Sequence, residues 1–250
     1  MTARKLTFAD KLLPTCRANS DQYAGPPETY VEALYQMVVE ASGIADPMAE
    51  LDLETSERFT IEEMASNPVA LRFLQMLIWM TGATHILEIG AFIGVSTIYL
   101  ARALPPGGKV VSIEKFDEFA AICRANFARN GVADRIDLRI GDAFDIVPKL
   151  PRDELFGLVF IDGNKERYRD YVEMTEPLLA PGGVVVIDDV FFHGDAVNRP
   201  PRSEKGQGAR AVAEAAARAN NYRRLLLPLN NGMLLMMKER SPASPATARS

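Results

Sequence analysis

The chain has 250 residues, 48% of them apolar, which is ample for the core of one large domain. Its net charge of −5 gives no electrostatic case for nucleic acid as a partner. Two cysteines, Cys16 and Cys123, make neither a disulfide framework nor a metal-binding spacing. The start Met1-Thr2-Ala3-Arg4-Lys5-Leu6 lacks the apolar stretch of a signal peptide, and no apolar run is long enough to span a bilayer. The expectation is a cytoplasmic chain without a membrane partner.

Taken in order, residues 1–82 read as an N-terminal helical cap, 83–240 as a Rossmann-like core of the same single domain, and 241–250 as a disordered tail of Ser, Pro, Ala and Thr. Within the cap, 28–42 and 68–81 carry apolar residues at helical spacing, the second opened by the N-cap pair Asn67-Pro68. From Thr84 the period changes. Strands are predicted at 85–89, 110–114, 136–140, 158–162 and 184–188, with helices between them at 94–104, 118–130, 143–150 and 167–179. Such alternation means a parallel sheet covered on both faces. Residues 191–208 read as a flexible loop of the length used for lids. The segments 222–228 and 233–238, joined at Asn230-Asn231-Gly232, read as an antiparallel hairpin. The fold expected is α/β: a doubly wound, mostly parallel, seven-stranded sheet ending in that hairpin. The apolar run from Met233 to Met237 on the predicted edge suits either core or interface.

The run Ile86-Leu87-Glu88-Ile89-Gly90-Ala91-Phe92-Ile93-Gly94-Val95-Ser96 joins strand to helix through two glycines. Such a turn, at the carboxyl end of a strand, binds a nucleotide-like ligand. Gly90 suits a ligand's close approach to backbone, and Gly94 suits packing of the helix on the sheet. Phe92 stands where a dinucleotide turn has its second glycine, which argues against a pyrophosphate and so against NAD. Glu114 ends the second strand, where an acid accepts hydrogen bonds from the ribose hydroxyls of an adenosine ligand. At the third strand's end, Gly141-Asp142-Ala143 suits an adenine ring, while Asp142 suits a helix N-cap equally well.

Asp162-Gly163-Asn164-Lys165 ends the fourth strand and Asp188-Asp189 the fifth. Three carboxylates gathered at one sheet edge repel one another strongly without a cation, and oxygen ligands favour a hard ion such as Mg²⁺. Lys165, with its pKa lowered by such an ion, would serve as a general base. In the 191–208 loop, Arg199, Arg202 and Lys205 would either meet an anionic acceptor or stay solvated, and His193 reads as structural. His85, ahead of a buried strand, is discounted.

At these residues the chain resembles the cation-dependent O-methyltransferases of the catechol and caffeoyl-coenzyme A type. The similarity runs from about Met64 to Lys238 and takes in Pro181-Gly182-Gly183 and the hairpin motif Pro228-Leu229-x-x-Gly232. The resemblance implies S-adenosylmethionine as cofactor. It puts Glu88, Gly90, Phe92 and Ser96 around the methionine part, Ser66 near the methyl, Glu114 on the ribose and Asp142-Ala143 at the adenine. Asp162, Asp188 and Asp189 fall on the metal-ligand positions, for Mg²⁺ or another divalent cation such as Ca²⁺ or Mn²⁺. Lys165 falls on the catalytic lysine, and Asp162 counts with it as catalytic and as a cofactor contact. Two departures stand out: Asp189 replaces the family's usual Asn, and Gly163-Asn164 replaces Ala-Asp or larger groups. A homodimer is also implied.

The activity implied is methyl transfer to a hydroxyl of a small catechol-like or vicinal-diol molecule, aromatic in character. An NAD(P)-dependent oxidoreductase is the alternative, but it lacks the third glycine and a Tyr-x-x-x-Lys pair. A non-catalytic binding module would have lost the acids or the lysine. A nucleic-acid methyltransferase would show a Pro-Pro-aromatic motif or a basic face.

Overall fold

The computed structural model describes residues 24–26, 29–44, 47–60 and 64–240. Cys16 and the expected 241–250 tail lie outside the described residues, as do residues 1–23 of the cap. Among the described residues, the longer helices ahead of the sheet are α1 (Tyr30–Ser42) and α2 (Pro68–Thr81). The start of α2 is set by Asn67, whose side chain accepts from the Val69 N–H at 2.8 Å, with Pro68 next.

Seven strands form one sheet: β1 (His85–Ile89), β2 (Lys109–Glu114), β3 (Ile136–Ile140), β4 (Phe156–Ile161), β5 (Leu179–Ile187), β6 (Tyr222–Leu227) and β7 (Met233–Lys238). Their spatial order is β3-β2-β1-β4-β5-β7-β6. The first five run parallel and β7 is antiparallel to both its neighbours, as the strand alternation and hairpin predict. The order reverses between β1 and β4, so their carboxyl ends open a crevice where such sheets bind ligands. Between the strands lie α3 (Val95–Ala103), α4 (Ala120–Arg129), α5 (Ala143–Ile146), α6 (Tyr168–Thr175) and α7 (Glu204–Arg218).

Strand periodicity divides the core in two. Ile86, Leu158, Phe160, Val184 and Val186 face one way, packing with Leu71, Leu74, Ile98 and Phe127 from the helices. Leu87, Ile89, Val159, Ile161, Val185 and Ile187 face the other, packing with Tyr168, Tyr171 and Val212. Both faces are covered, which is why these strands read as near-continuous apolar runs.

Three expectations change. The run from Met233 to Met237 is on an inner strand, with Met233, Leu234 and Met236 buried, so it is mostly core; β6 is the edge. Residues 191–208 are not a free loop. The Asp195 carboxylate accepts from the Arg202 and Ser203 N–H groups, the Ser203 hydroxyl and Asn198, and α7 starts at Glu204, capped by Ser203. Gly206 and Gly208, inside the predicted loop, sit in that helix, where a Cβ would strike Asp195 at one and the Lys165 carbonyl at the other. A helical glycine costs about 1 kcal/mol relative to alanine, which tertiary packing here outweighs. Gly94, third, stands against helix α4: a Cβ there would strike the Phe127 ring.

At Gly94 a side chain is excluded twice, by that ring and by φ of +90°. Gly94→Ala is therefore expected to cost about 2 kcal/mol, a fall of roughly 4–8 °C in thermal midpoint for a domain of this size. A thermal melt indistinguishable from the parent's would overturn the assignment.

Candidate active site

The glycine turn is held by two acids. Glu88 points from β1 toward α3, and register places it beside Ser112 on β2. Its Oε1 accepts from the Ser96 hydroxyl at 2.6 Å, and Oε2 accepts from Thr97 and Ser112, both at 2.5 Å. Burial pushes its carboxyl up to about 7, although the three hydroxyls favour the charged form; the Asp162 charge adds to the rise. Glu114, at the end of β2, accepts from the Ala91 and Phe92 N–H groups through Oε2 (3.1 and 2.8 Å) and from Phe116 N–H through Oε1 (2.8 Å). These bonds hold Phe92 at φ +53°, unusual for a side-chain-bearing residue. Its ring turns into an edge-to-face contact with Phe119, 5.0 Å between centroids.

The acid end lies across the crevice. Lys165 Nζ sits 2.8 Å from Asp162 Oδ1 and 3.4 Å from Asp189 Oδ2, its side chain only 16% exposed. Burial alone would lower its pKa, but Asp162 and Asp189 outweigh it and hold the ammonium well above the ordinary lysine value. Asp188 is wholly enclosed; burial, then the charges of Asp162 and Asp189, push its carboxyl above the usual range. Asp189 takes φ +62°, its N–H donating to Asp188 Oδ1 at 2.8 Å, and its own Oδ1 is buried without a partner among the described residues. The Tyr168 hydroxyl ties the Asp188 carbonyl to α6 at 2.7 Å.

One cavity of about 630 Å³ connects these two ends. Its turn end is lined by Ser66, Gly90, Phe92, Ser96, Glu114, Asp142 and Ala143, and its acid end by Asp162, Lys165, Asp188 and Asp189. Of the residues that the resemblance assigns to cofactor, metal or catalysis, all line it except Glu88. Glu88 lies behind the turn, tied to Ser96, Thr97 and Ser112. Gly90 also differs from expectation: what approaches its backbone is the Asp162 carbonyl, 2.5 Å from where a Cβ would stand. Asp142 does cap α5, accepting from Phe144 N–H at 3.0 Å, and pairs with exposed Lys115 at 2.8 Å. The Lys115 hydrogen bond holds its carboxyl below the usual range.

The three acids do not gather around an open centre, contrary to the expectation that only a bound cation relieves them. Among the described residues no trio of His, Cys, Asp or Glu side chains is placed to hold a metal ion, and the Lys165 ammonium supplies the countercharge. Of the three basic residues noted at 191–208, Lys205 lines the cavity, while Arg199 and Arg202 do not. His193 also lines it, its Nδ1 3.2 Å from Asn231 Nδ2, as does Asn230. The asparagines were legible only as turn formers; Thr97 and Ser112 needed the register.

A cofactor-sized cavity at the switch point of a doubly wound sheet defines a Rossmann-like class of enzymes. Comparison with known proteins narrows the class. A family model described as O-methyltransferase matches residues 39–239, and the chain belongs to that family. It is 36% identical over 141 residues to a catechol O-methyltransferase of Niastella koreensis, covering 56% of this chain and 64%, just under two thirds, of that relative. It is 35% identical over 174 residues to a catechol O-methyltransferase of Mycobacterium tuberculosis, covering 70% and 76%. The crystal structure of the O-methyltransferase TomG from Streptomyces achromogenes, in complex with SAM, superposes with a TM-score of 0.68 at 30% identity, covering 77% of this chain and 94% of TomG. The expected family is borne out, and the oxidoreductase alternative is not favoured.

An acid whose folded pKa, about 7, lies above its ordinary value of 4.5 weakens folding as it ionises. Stability is thus expected to fall as pH rises between those values, by ~3 kcal/mol for Glu88. Glu88→Gln is expected to remove that part of the slope while the part due to Asp188 remains. Urea unfolding of both proteins across the window measures it; parallel pH profiles would contradict the assignment.

Proposed function

We propose that the protein transfers the methyl group of S-adenosylmethionine to one hydroxyl of a small catechol-like aromatic diol. The observation that carries this is the single cavity joining the braced glycine turn to the acid–lysine cluster. Methyl transfer needs that continuity: the sulfonium carbon and the attacking oxygen must meet in one space, and positioning supplies most of the acceleration. The relatives named as catechol O-methyltransferases support the acceptor class.

The cofactor lies along the turn. Glu114, already fixed by three backbone N–H groups, presents its carboxylate to the ribose hydroxyls; Ala143 and the Asp142 backbone border the adenine, and Ser66 flanks the methyl. Phe92 has its ring in the aromatic cluster, so its contribution to the cofactor is main chain.

Asp162, Asp188 and Asp189 fit a hard divalent cation in chemistry: all donors are oxygens, Asp189 Oδ1 is buried without a partner among the described residues, and Asp188 resists ionising in its buried place beside the other two. These three carboxylates would hold such a cation, Mg²⁺ or another of its kind, which would supply a lowered pKa to a hydroxyl beside it. Lys165 as it stands is an ammonium and accepts no proton. Once that ammonium has given up its proton to solvent, a loss that burial favours, its Nζ can accept the proton of the hydroxyl. A cytoplasmic location and a homodimer complete the reading. In support, no helix of the described residues is long and apolar enough to cross a membrane, and Met76, Trp79 and Met80 leave an exposed apolar stripe on α2.

Incubation with S-adenosylmethionine, Mg²⁺ and a panel of phenols, read by mass spectrometry, is expected to show one added methyl on vicinal diols. Methylation confined to isolated hydroxyls would overturn the diol reading. Asp188→Ala is expected to lower turnover more than roughly 100-fold. Its cofactor affinity by calorimetry should stay near the parent's, and turnover that persists in EDTA would end the metal reading.

A further inference from the structure

A second cavity, of about 340 Å³, lies away from the active site, between the C-terminal halves of α6 and α7. Helical spacing explains it. Val172 on α6 faces Val212, Ala215 and Ala216 on α7 and Ala219 just past its end, and the alanines are too short to close the gap. Met236 and Tyr222 also line it. The walls are therefore mainly apolar, as in small-molecule sites, and the volume falls at the lower end of that range.

Two donors around this cavity have no acceptor. Tyr222 is 6% exposed, and its hydroxyl is buried with no hydrogen-bond partner among the described residues. A buried hydroxyl left unpaired costs about 1–3 kcal/mol, so a ligand oxygen there is favoured. Burial and the neighbouring Glu176 charge push this phenol up to about 12, which keeps the O–H in place as a donor. Arg218 stands at the end of α7 on the same cavity, with no ion pair among the described residues. The acids around it are already matched: Glu173 Oε1 with Arg169 at 2.7 Å, and Glu176 Oε1 with Lys238 at 2.9 Å. The unmatched charge is positive.

We propose that this cavity binds a small apolar carboxylate, of about one aromatic ring in size. Its body lies among Val172, Val212, Ala216 and Met236, and its oxygens take the Tyr222 O–H and the Arg218 guanidinium. No residue of the active-site cavity takes part, so the site is independent of the methyl-transfer reading.

Benzoate is a suitable probe, titrated calorimetrically into the full chain with the active site filled by S-adenosylhomocysteine and catechol. Saturable one-to-one binding is expected, weakened roughly tenfold by Arg218→Ala and roughly fivefold by Tyr222→Phe. Ala215→Phe, which fills the gap, is expected to abolish it, and benzamide is expected to bind at least tenfold more weakly than benzoate. Tyr222→Phe removes only the unpaired oxygen, so its melting temperature without benzoate should not fall, and a loss of binding is then not a loss of fold. Absence of saturable binding, or binding that survives both Arg218→Ala and Ala215→Phe, would overturn the proposal.

Discussion

The structure depends on a contact in which there is no room for an atom. At the switch point β1 and β4 run side by side, and the Asp162 carbonyl sits 2.5 Å from where a Cβ on Gly90 would stand. Only glycine permits that approach, and φ of +99° there favours it again. Because the two strand ends close so tightly, the turn after β1 and the acids after β4 and β5 share one cavity. Any side chain at this position would drive the halves of the site apart.

Around this seam lie five acids, stabilised in four different ways. Glu88 meets three hydroxyls, Glu114 meets three backbone N–H groups, and Asp162 and Asp189 share one ammonium. Among the described residues the Asp188 carboxylate accepts only from the Asp189 N–H, and burial, then the charges of Asp162 and Asp189, raise its pKa. Donors are therefore plentiful at the turn end and scarce at the acid end. A rigid cradle suits a cofactor that must be held in one pose; an under-satisfied oxygen cluster suits an exchangeable partner.

Much of this was legible in the chain. Strand alternation, the glycine turn and the acids at four strand ends are local patterns, and the sheet places them together by topology alone. Less legible were features in which a local rule lost to packing. Residues 204–208 read as the end of a flexible loop yet start a helix, in which Gly206 and Gly208 leave room for Asp195 and the Lys165 backbone. Phe92 read as a ligand contact, yet its ring belongs to an aromatic cluster with Phe119. Glu88 read as a cofactor contact, and only register shows it tied to Ser112 behind the turn.

By itself the sequence determined the layered α/β architecture, the mostly parallel sheet and the set of residues that meet at its carboxyl edge. These follow from hydrophobic period and from glycine at turns, which act over a few residues. The tertiary structure alone decided which groups face the cavity, which brace it, and what neutralises the acids. Those outcomes depend on burial and on pairing between residues distant in the chain. The sequence calls for a countercharge at Asp162 and Asp189, but only the packed fold shows that Lys165 provides it.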